Sequence, residues 1–271
     1  MATNKRNLST IEDVDNFSKE LQNAECYETL PLLKKSAGLY RVESLQEIIR
    51  ASLEINHRAL VINLPNLKSN DLERICRLLG RGASDPRAFG KIRSIRFTGN
   101  ASSVAESLDS HPMHTDGTFD ANPPKKFLLY YDEPDTGFGG LTLLMPLEEI
   151  IASLDAEHLV VLLSSPVRYA RRDENGVIDE WTGTLLSYDT VQGISCRWRY
   201  DNHVKPEPLN PEDTLLTSAI NAFRKLVENT DPIRYRAEKH DLLIIPNVNY
   251  LHGRTALSRN SKRHLLRAWI D

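Results

Sequence analysis

Between Val42 and Leu53 the apolar side chains Leu45, Ile48, Ile49 and Leu53 recur at three- and four-residue spacing, which predicts an amphipathic helix. The run Ala59-Leu60-Val61-Ile62-Asn63-Leu64 follows and predicts a buried strand. Asn70-Asp71 then caps a second expected helix, which carries Leu72, Ile75, Leu78 and Leu79 and stops at Gly80. From about residue 90 the pattern changes to short strand-like runs: Phe127 to Tyr131, Leu141 to Leu144, Val167 to Tyr169, Gly193 to Tyr200, Leu242 to Ile245 and Leu265 to Ile270. Asp135-Thr136-Gly137 and Glu174-Asn175-Gly176 supply turns. Two helical stretches interrupt the strands. One spans Pro146 to Leu163. The other follows Asn210-Pro211-Glu212-Asp213, with Asn210 as its cap and Pro211 at the first helical position, and carries Leu215, Leu216, Ile220, Phe223, Leu226 and Val227.

No repeat, low-complexity tract or Pro/Gly/Ser-rich linker divides the chain, so residues 1–271 read as one domain. Its first hundred residues form a mixed flank, and residues 101–271 form a β-rich core. Many short strands with helical insertions predict a mixed α+β fold, with a β-sandwich or jelly-roll core and flanking helices. Composition agrees with a globular chain: 40% of residues are apolar and 26% charged. With 34 basic and 37 acidic residues the net charge is −3, which removes any strong electrostatic case for nucleic acid or anionic membrane. No apolar run approaches the ~20 residues of a membrane span. Cys26, Cys76 and Cys196 make neither a disulfide framework nor a CxxC metal pair, and fit a reducing compartment. The opening stretch MATNKRNLSTIEDVDNF lacks the apolar core of a signal peptide. The expectation is a cytoplasmic protein whose partner is a small molecule, with no nucleic-acid or membrane partner. Monomer and homo-oligomer are equally compatible with the pattern.

Eight histidines are present, and one stands two residues before an acid, in His114-Thr115-Asp116. With 37 acids in 271 residues, chance supplies about one such pair, so the motif alone carries no weight. Its context changes that. On a strand, positions two apart share a face. Downstream, Asp241 to Ile245 leads to His252-Gly253-Arg254. Two imidazoles and one carboxylate are the facial triad of non-haem Fe(II) sites, which leaves coordination positions open. Gly139-Gly140-Leu141-Thr142 follows Asp116 after one strand and a turn, and Arg267 lies 15 residues beyond His252 on the last strand. The alternation Arg263, Leu265, Arg267, Trp269 sets these four on one face. An inward arginine requires an anion, and none is evident nearby in the chain.

In this order, HTDGTF (His114 to Phe119), GGLT (Gly139 to Thr142), DLLIIPNVNYLHGRTAL (Asp241 to Leu257) and RHLLRAWID (Arg263 to Asp271) resemble the Fe(II)- and 2-oxoglutarate-dependent oxygenases of the taurine dioxygenase and clavaminate synthase type. The resemblance covers roughly residues 110 to 271. It implies a double-stranded β-helix, or jelly roll, with His114, Asp116 and His252 as iron ligands. It also implies that Arg267 pairs with the distal carboxylate of 2-oxoglutarate and that Thr142 hydrogen-bonds the same group. Arg263 is a second candidate, for the cosubstrate or for the iron-bound carboxylate. Fe(II), 2-oxoglutarate and O2 are implied. 2-Oxoglutarate would leave as succinate and CO2 while a substrate C–H bond is oxidised, and no catalytic acid or base is called for. Departures stand at His240, where the family often has Gly, at Pro246, where it often has Asp, and at Leu144, Met145 and Pro146, where an acid commonly follows GGxT. Related halogenases carry a small residue in place of Asp116, so its retention favours hydroxylation, desaturation or another oxidation.

For substrate, Arg197-Trp198-Arg199-Tyr200-Asp201 reads as a strand with Arg197, Arg199 and Asp201 on one face. They form either a clamp for a zwitterion or a solvated charged face. Phe119 and Trp181 are candidate pocket walls, with buried core as the plainer role. Arg93 and Arg96 are candidates for the pocket mouth or the surface, and His111 is read as a structural hydrogen-bonder. The resulting expectation is a hydroxylase of a small polar metabolite, an amino acid or a derivative. Two alternatives compete: a cupin-like metalloenzyme without 2-oxoglutarate, and a non-catalytic binding protein on the same fold. Arg267 and Thr142 argue against the first, since without the cosubstrate they have no reason to face the metal. The complete ligand set argues against the second.

Overall fold

The computed structural model describes residues 39–41, 59–65, 67–80, 82–83, 92–97, 104–173, 176–189 and 193–271. The helix expected at Val42 to Leu53, and Glu174-Asn175 of one turn, lie outside them. In chain order the described strands are β1 (Leu39–Arg41), β2 (Ala59–Asn63), β3 (Gly82–Ala83), β4 (Ile92–Arg96), β5 (His111–His114), β6 (Lys126–Glu133), β7 (Thr142–Pro146), β8 (Pro166–Asp173), β9 (Gly176–Thr184), β10 (Leu186–Asp189), β11 (Gly193–Cys196), β12 (Pro206–Pro208), β13 (Ile233–Tyr235), β14 (Asp241–Pro246), β15 (Tyr250–Arg254) and β16 (His264–Ile270). The helices are α1 (Ser69–Leu79), α2 (Leu147–Ala152), α3 (Ala156–Ser164) and α4 (Thr214–Asn229). The fold is mixed α/β, mostly strands with few helices.

Two sheets position the site. The larger runs β1-β2-β14-β6-β16-β3, with β4 also paired to β16. The smaller runs β13-β7-β15-β5. Apart from the parallel β1–β2 pair, their neighbours are antiparallel. Side-chain alternation assigns each face of the large sheet a different partner. Leu128, Tyr130, Leu242, Ile244, Ala268 and Ile270 point to one side and bury Leu72 and Ile75 of α1. Phe127, Leu129, Tyr131, Leu243, Leu265 and Trp269 point to the other and meet Leu144 and Tyr250 of the small sheet. The far face of the small sheet, through Met145 and Leu251, buries α2, α3 and α4 together with Tyr169 and Trp198.

Several boundaries differ from expectation. Helix α1 is capped by Lys68; Asp71 sits inside its first turn and accepts from the Lys68 N–H at 3.1 Å. The stretch from Pro146 to Leu163 is two helices, because Asp155 starts α3 afresh by accepting from the His158 N–H at 2.9 Å. Asp213, not Asn210, caps α4, accepting from the Leu216 N–H at 2.8 Å, while Asn210 closes a turn ahead of it. The strand expected to reach Tyr200 ends at Cys196. His240 adopts φ 71°, a left-handed conformation that explains why glycine suits this position. Its ring compensates by hydrogen-bonding the Tyr130 hydroxyl at 2.9 Å.

Candidate metal and cosubstrate site

Strand β5 ends at His114, so Asp116 lies past it, and the expectation that strand alternation would aim both side chains fails. Asn247, fully buried at the end of β14, does the work instead. Its Oδ1 accepts from the Asp116 N–H at 2.7 Å, and its Nδ2 donates to the carbonyls of Asp116 at 2.9 Å and Pro124 at 2.8 Å. Thr115 ties the same turn to Trp198: its N–H donates to the Trp198 carbonyl at 2.8 Å, and its hydroxyl accepts from the Trp198 N–H at 2.9 Å. Across the small sheet His114 is in register with His252, their rings 4.2 Å apart. Gly253 permits this closeness, since a β-carbon there would stand 2.7 Å from the His111 carbonyl oxygen. One ligand atom from each of His114, Asp116 and His252 lies within 4.8 Å of the others, and all three residues are buried.

The electrostatics prepare these groups for a cation. Burial alone would raise the Asp116 pKa. The Arg267 guanidinium, the His114 hydrogen bond and the neighbouring imidazoles outweigh it and hold the carboxyl well below its ordinary range. Burial, followed by the charge of His114, holds His252 well below 6.5, so its imidazole is neutral and able to donate a lone pair. His252 Nδ1 is buried with no hydrogen-bond partner among the described residues. Two imidazoles and one ionised carboxylate fit a divalent metal.

Arg267 is not without a local anion. Its Nη1 donates to both oxygens of Asp116, at 3.2 and 3.0 Å, and the Trp269 indole N–H donates to Asp116 Oδ2 at 2.9 Å. A small cavity of about 50 Å³ between the sheets is lined by His111, His114, Asp116, Phe127, Leu129, Thr142, His252, Arg254, Arg263, Leu265 and Arg267, among others. The Tyr131 hydroxyl hydrogen-bonds both the Thr142 hydroxyl and Arg263. Arg263 Nε is buried with no hydrogen-bond partner among the described residues. A buried guanidinium beside two hydroxyls fits a carboxylate.

Other candidates fall elsewhere. Arg197 is buried and committed to the backbone, its Nη1 donating to the carbonyls of Gly117, Thr118 and Asp120 at 2.7–2.9 Å. Trp181 stacks on that guanidinium at 3.7 Å instead of lining the cavity. Phe119 packs on the outer core with Arg171 over its ring. Arg93 is buried against Glu106 at 2.6 Å, and Arg96 is exposed beside His264. Asp201 is spent as a turn cap, accepting from His203 N–H and Val204 N–H at 2.8 Å and from Arg199 Nε at 2.7 Å. Arg199 lies near enough to His111, on the cavity wall, to help disfavour its imidazolium after burial and the His114 and His252 charges. Sequence reasoning overlooked Tyr131, Trp269 as a carboxylate donor, and Thr115. Trp269 was signalled by sharing a strand face with Arg267, and Thr115 by standing between two ligand candidates. Tyr131 had no signal beyond its place in an apolar strand.

Comparison with known proteins identifies the family. Residues 34–269 match the taurine catabolism dioxygenase TauD, TfdA family, so the chain belongs to that family. It is an Fe(II)- and 2-oxoglutarate-dependent dioxygenase. The chain is 26% identical over 194 residues to a 3-((Z)-2-isocyanoethenyl)-1H-indole synthase of Fischerella ambigua (strain UTEX 1903), a match covering 67% of this chain and 71% of that protein. Its fold is similar to that of PvcB from Pseudomonas aeruginosa, with TM-score 0.66, 18% identity, and 91% and 94% of the two chains covered. It is also similar to the non-haem iron oxygenase OrfP in complex with Fe and α-ketoglutaric acid, with TM-score 0.65, 20% identity, and 83% and 79% covered. Among the described residues no helix is long and apolar enough to cross a membrane.

Proposed function

We propose that the two facing sheets form a jelly-roll core in which His114, Asp116 and His252 hold Fe(II), and that Arg263 and Arg267 exchange the roles that the family resemblance implies for them. Arg263, with Thr142 and Tyr131, receives the distal carboxylate of 2-oxoglutarate. Arg267 serves the metal end. The observation that supports this is the difference between their side-chain partners: Arg267 already pairs with the Asp116 carboxylate, whereas buried Arg263 hydrogen-bonds the Tyr131 hydroxyl, which in turn bonds Thr142. When bound, iron and 2-oxoglutarate together activate O2 and supply the oxidant for a substrate C–H bond.

The chain's own residues provide geometry and charge. Asn247 fixes the backbone of Asp116, Arg267 and Trp269 keep its carboxylate ionised and aimed, and burial keeps His252 neutral. Phe127, Leu129 and Leu265 give the cavity an apolar wall that excludes water. The substrate is a small polar metabolite, an amino acid or a derivative, and hydroxylation is the favoured outcome. OrfP has been solved with succinate and (3S)-hydroxy-L-Arg, while PvcB is described as an oxygenase from an isonitrile synthetic pathway. The OrfP ligand favours a substrate of amino-acid size. The test is succinate release from 2-oxoglutarate with Fe(II) and air: wild type should produce it and Asp116→Ala should not. Equal release by both would remove the metal assignment.

A further inference from the structure

Asp116 stands on a segment that is neither helix nor strand. Strand β5 stops at His114, and the chain from Thr115 onwards reaches β6 at Lys126 through turns. A ligand on such a segment is aimed only as well as its backbone is held. The residue that follows it is the freest of all, Gly117, at φ 78°. Glycine is required there, since a β-carbon would stand 2.8 Å from Pro124 Cδ. The Asp120 N–H then donates to the Gly117 carbonyl at 3.0 Å and closes a β-turn.

That turn gathers its carbonyls. Those of Gly117, Thr118 and Asp120 converge on one atom, Nη1 of Arg197, at 2.8, 2.9 and 2.7 Å. The guanidinium is itself fixed, with its Cζ 3.7 Å from the centre of the Trp181 ring. The backbone of Arg197 is tied on both sides: its N–H donates to the Leu185 carbonyl at 2.9 Å, and its carbonyl accepts from the Tyr169 hydroxyl at 2.7 Å. The ligand turn is therefore gripped in sequence, Thr115 by Trp198, Asp116 by Asn247, and the residues after Asp116 by Arg197. Arg197 does not line the cavity, so its charge, read in the sequence as one arm of a substrate clamp, is spent on the turn.

We propose that Arg197 is a positioning residue for the metal. By gathering three carbonyls it blocks rotation at Gly117 and fixes the direction from which the Asp116 carboxylate meets the ion. This rests on the metal ligation proposed above. The probe is Co(II), added to metal-free wild type, Arg197→Met, Arg197→Lys, Trp181→Leu and His114→Ala. Affinity and the Co(II) absorption spectrum are read where urea melts show each protein folded. Arg197→Met should bind Co(II) about tenfold or more weakly, with an altered spectrum. Arg197→Lys should recover most of the affinity, because an ammonium carries three donors for the three carbonyls. Trp181→Leu keeps the guanidinium but removes the surface that orients it, and should weaken Co(II) binding to a smaller extent. It decides the matter if Arg197→Met does not fold. Wild-type affinity and spectrum in folded Arg197→Met, or in Trp181→Leu where only that variant folds, would overturn the proposal, whatever the loss of stability. A loss in Arg197→Lys as large as in Arg197→Met would assign the effect to packing and overturn it too. Co(II) binding by wild type no tighter than by His114→Ala would instead remove the metal assignment itself, so the two failures are distinct.

Discussion

Asn247 offers the sharpest test of how the metal ligand is held. Asn247→Ala removes one acceptor and two donor contacts, leaving the Asp116 N–H and the carbonyls of Asp116 and Pro124 buried without partners. A buried polar group left unsatisfied costs about 1–3 kcal/mol, so three set an upper range of roughly 3–9 kcal/mol. Water entering the vacated space should reduce this to about 3–4 kcal/mol. Asn247→Asp is the more discriminating change. It keeps the shape and the acceptor for the Asp116 N–H but turns a carboxylate oxygen towards two carbonyls. If hydrogen-bond polarity matters, Asp should cost about as much as Ala. Urea unfolding of the metal-free protein measures both variants, and Co(II) titration should show metal affinity reduced about 10- to 100-fold. An Asn247→Asp protein with wild-type stability and metal affinity would refute the clamp.

Arg263→Gln should raise the 2-oxoglutarate KM by about 10- to 100-fold, the loss of a charge-assisted pair. Arg267→Gln should instead destabilise the metal-free protein by about 3–5 kcal/mol, because it strands the buried Asp116 carboxylate. Interchanged effects in kinetics and urea melts would reverse the assignment. Burial holds the folded-state pKa of His252 below 6.5. The unfolded chain therefore takes up that proton first as pH falls. Metal-free stability should be full above about pH 6.5 and decline below it, towards the folded pKa, by up to about 1.4 kcal/mol per pH unit. A flat stability between pH 7 and 5.5 would contradict this. Gly253→Ala must push β15 from the His111 carbonyl, and should cost about 1–3 kcal/mol and most of the activity. Unchanged melting would show that β5 yields freely.

The order of elements and the residues of the site were legible in the sequence where a local rule decided them. Apolar periodicity located β6, β14, β16 and α4, and strand alternation placed Leu265, Arg267 and Trp269 on one inward face. It failed where the decision was non-local. Nothing within HTD says that Asp116 leaves the strand, because the residue holding it lies 131 positions away at Asn247. The partner of Arg267 is 151 residues distant, so a search nearby in the chain found no anion. The segment from Arg197 to Asp201 alternates like a strand, yet Leu185, Thr115 and the turn at Val204 take its backbone hydrogen bonds one by one. Helix starts were misplaced by a few residues wherever two polar candidates competed and tertiary packing selected between them.

The most direct measurement of the central claim is anaerobic binding of 2-oxoglutarate to wild-type, His252→Ala and Arg263→Gln proteins, each with and without Fe(II). The account predicts tight binding by wild type only when Fe(II) is present, loss of the Fe(II) dependence in His252→Ala, and weak but still Fe(II)-dependent binding in Arg263→Gln. Wild-type binding that is indifferent to Fe(II), or unaltered by both substitutions, would contradict it.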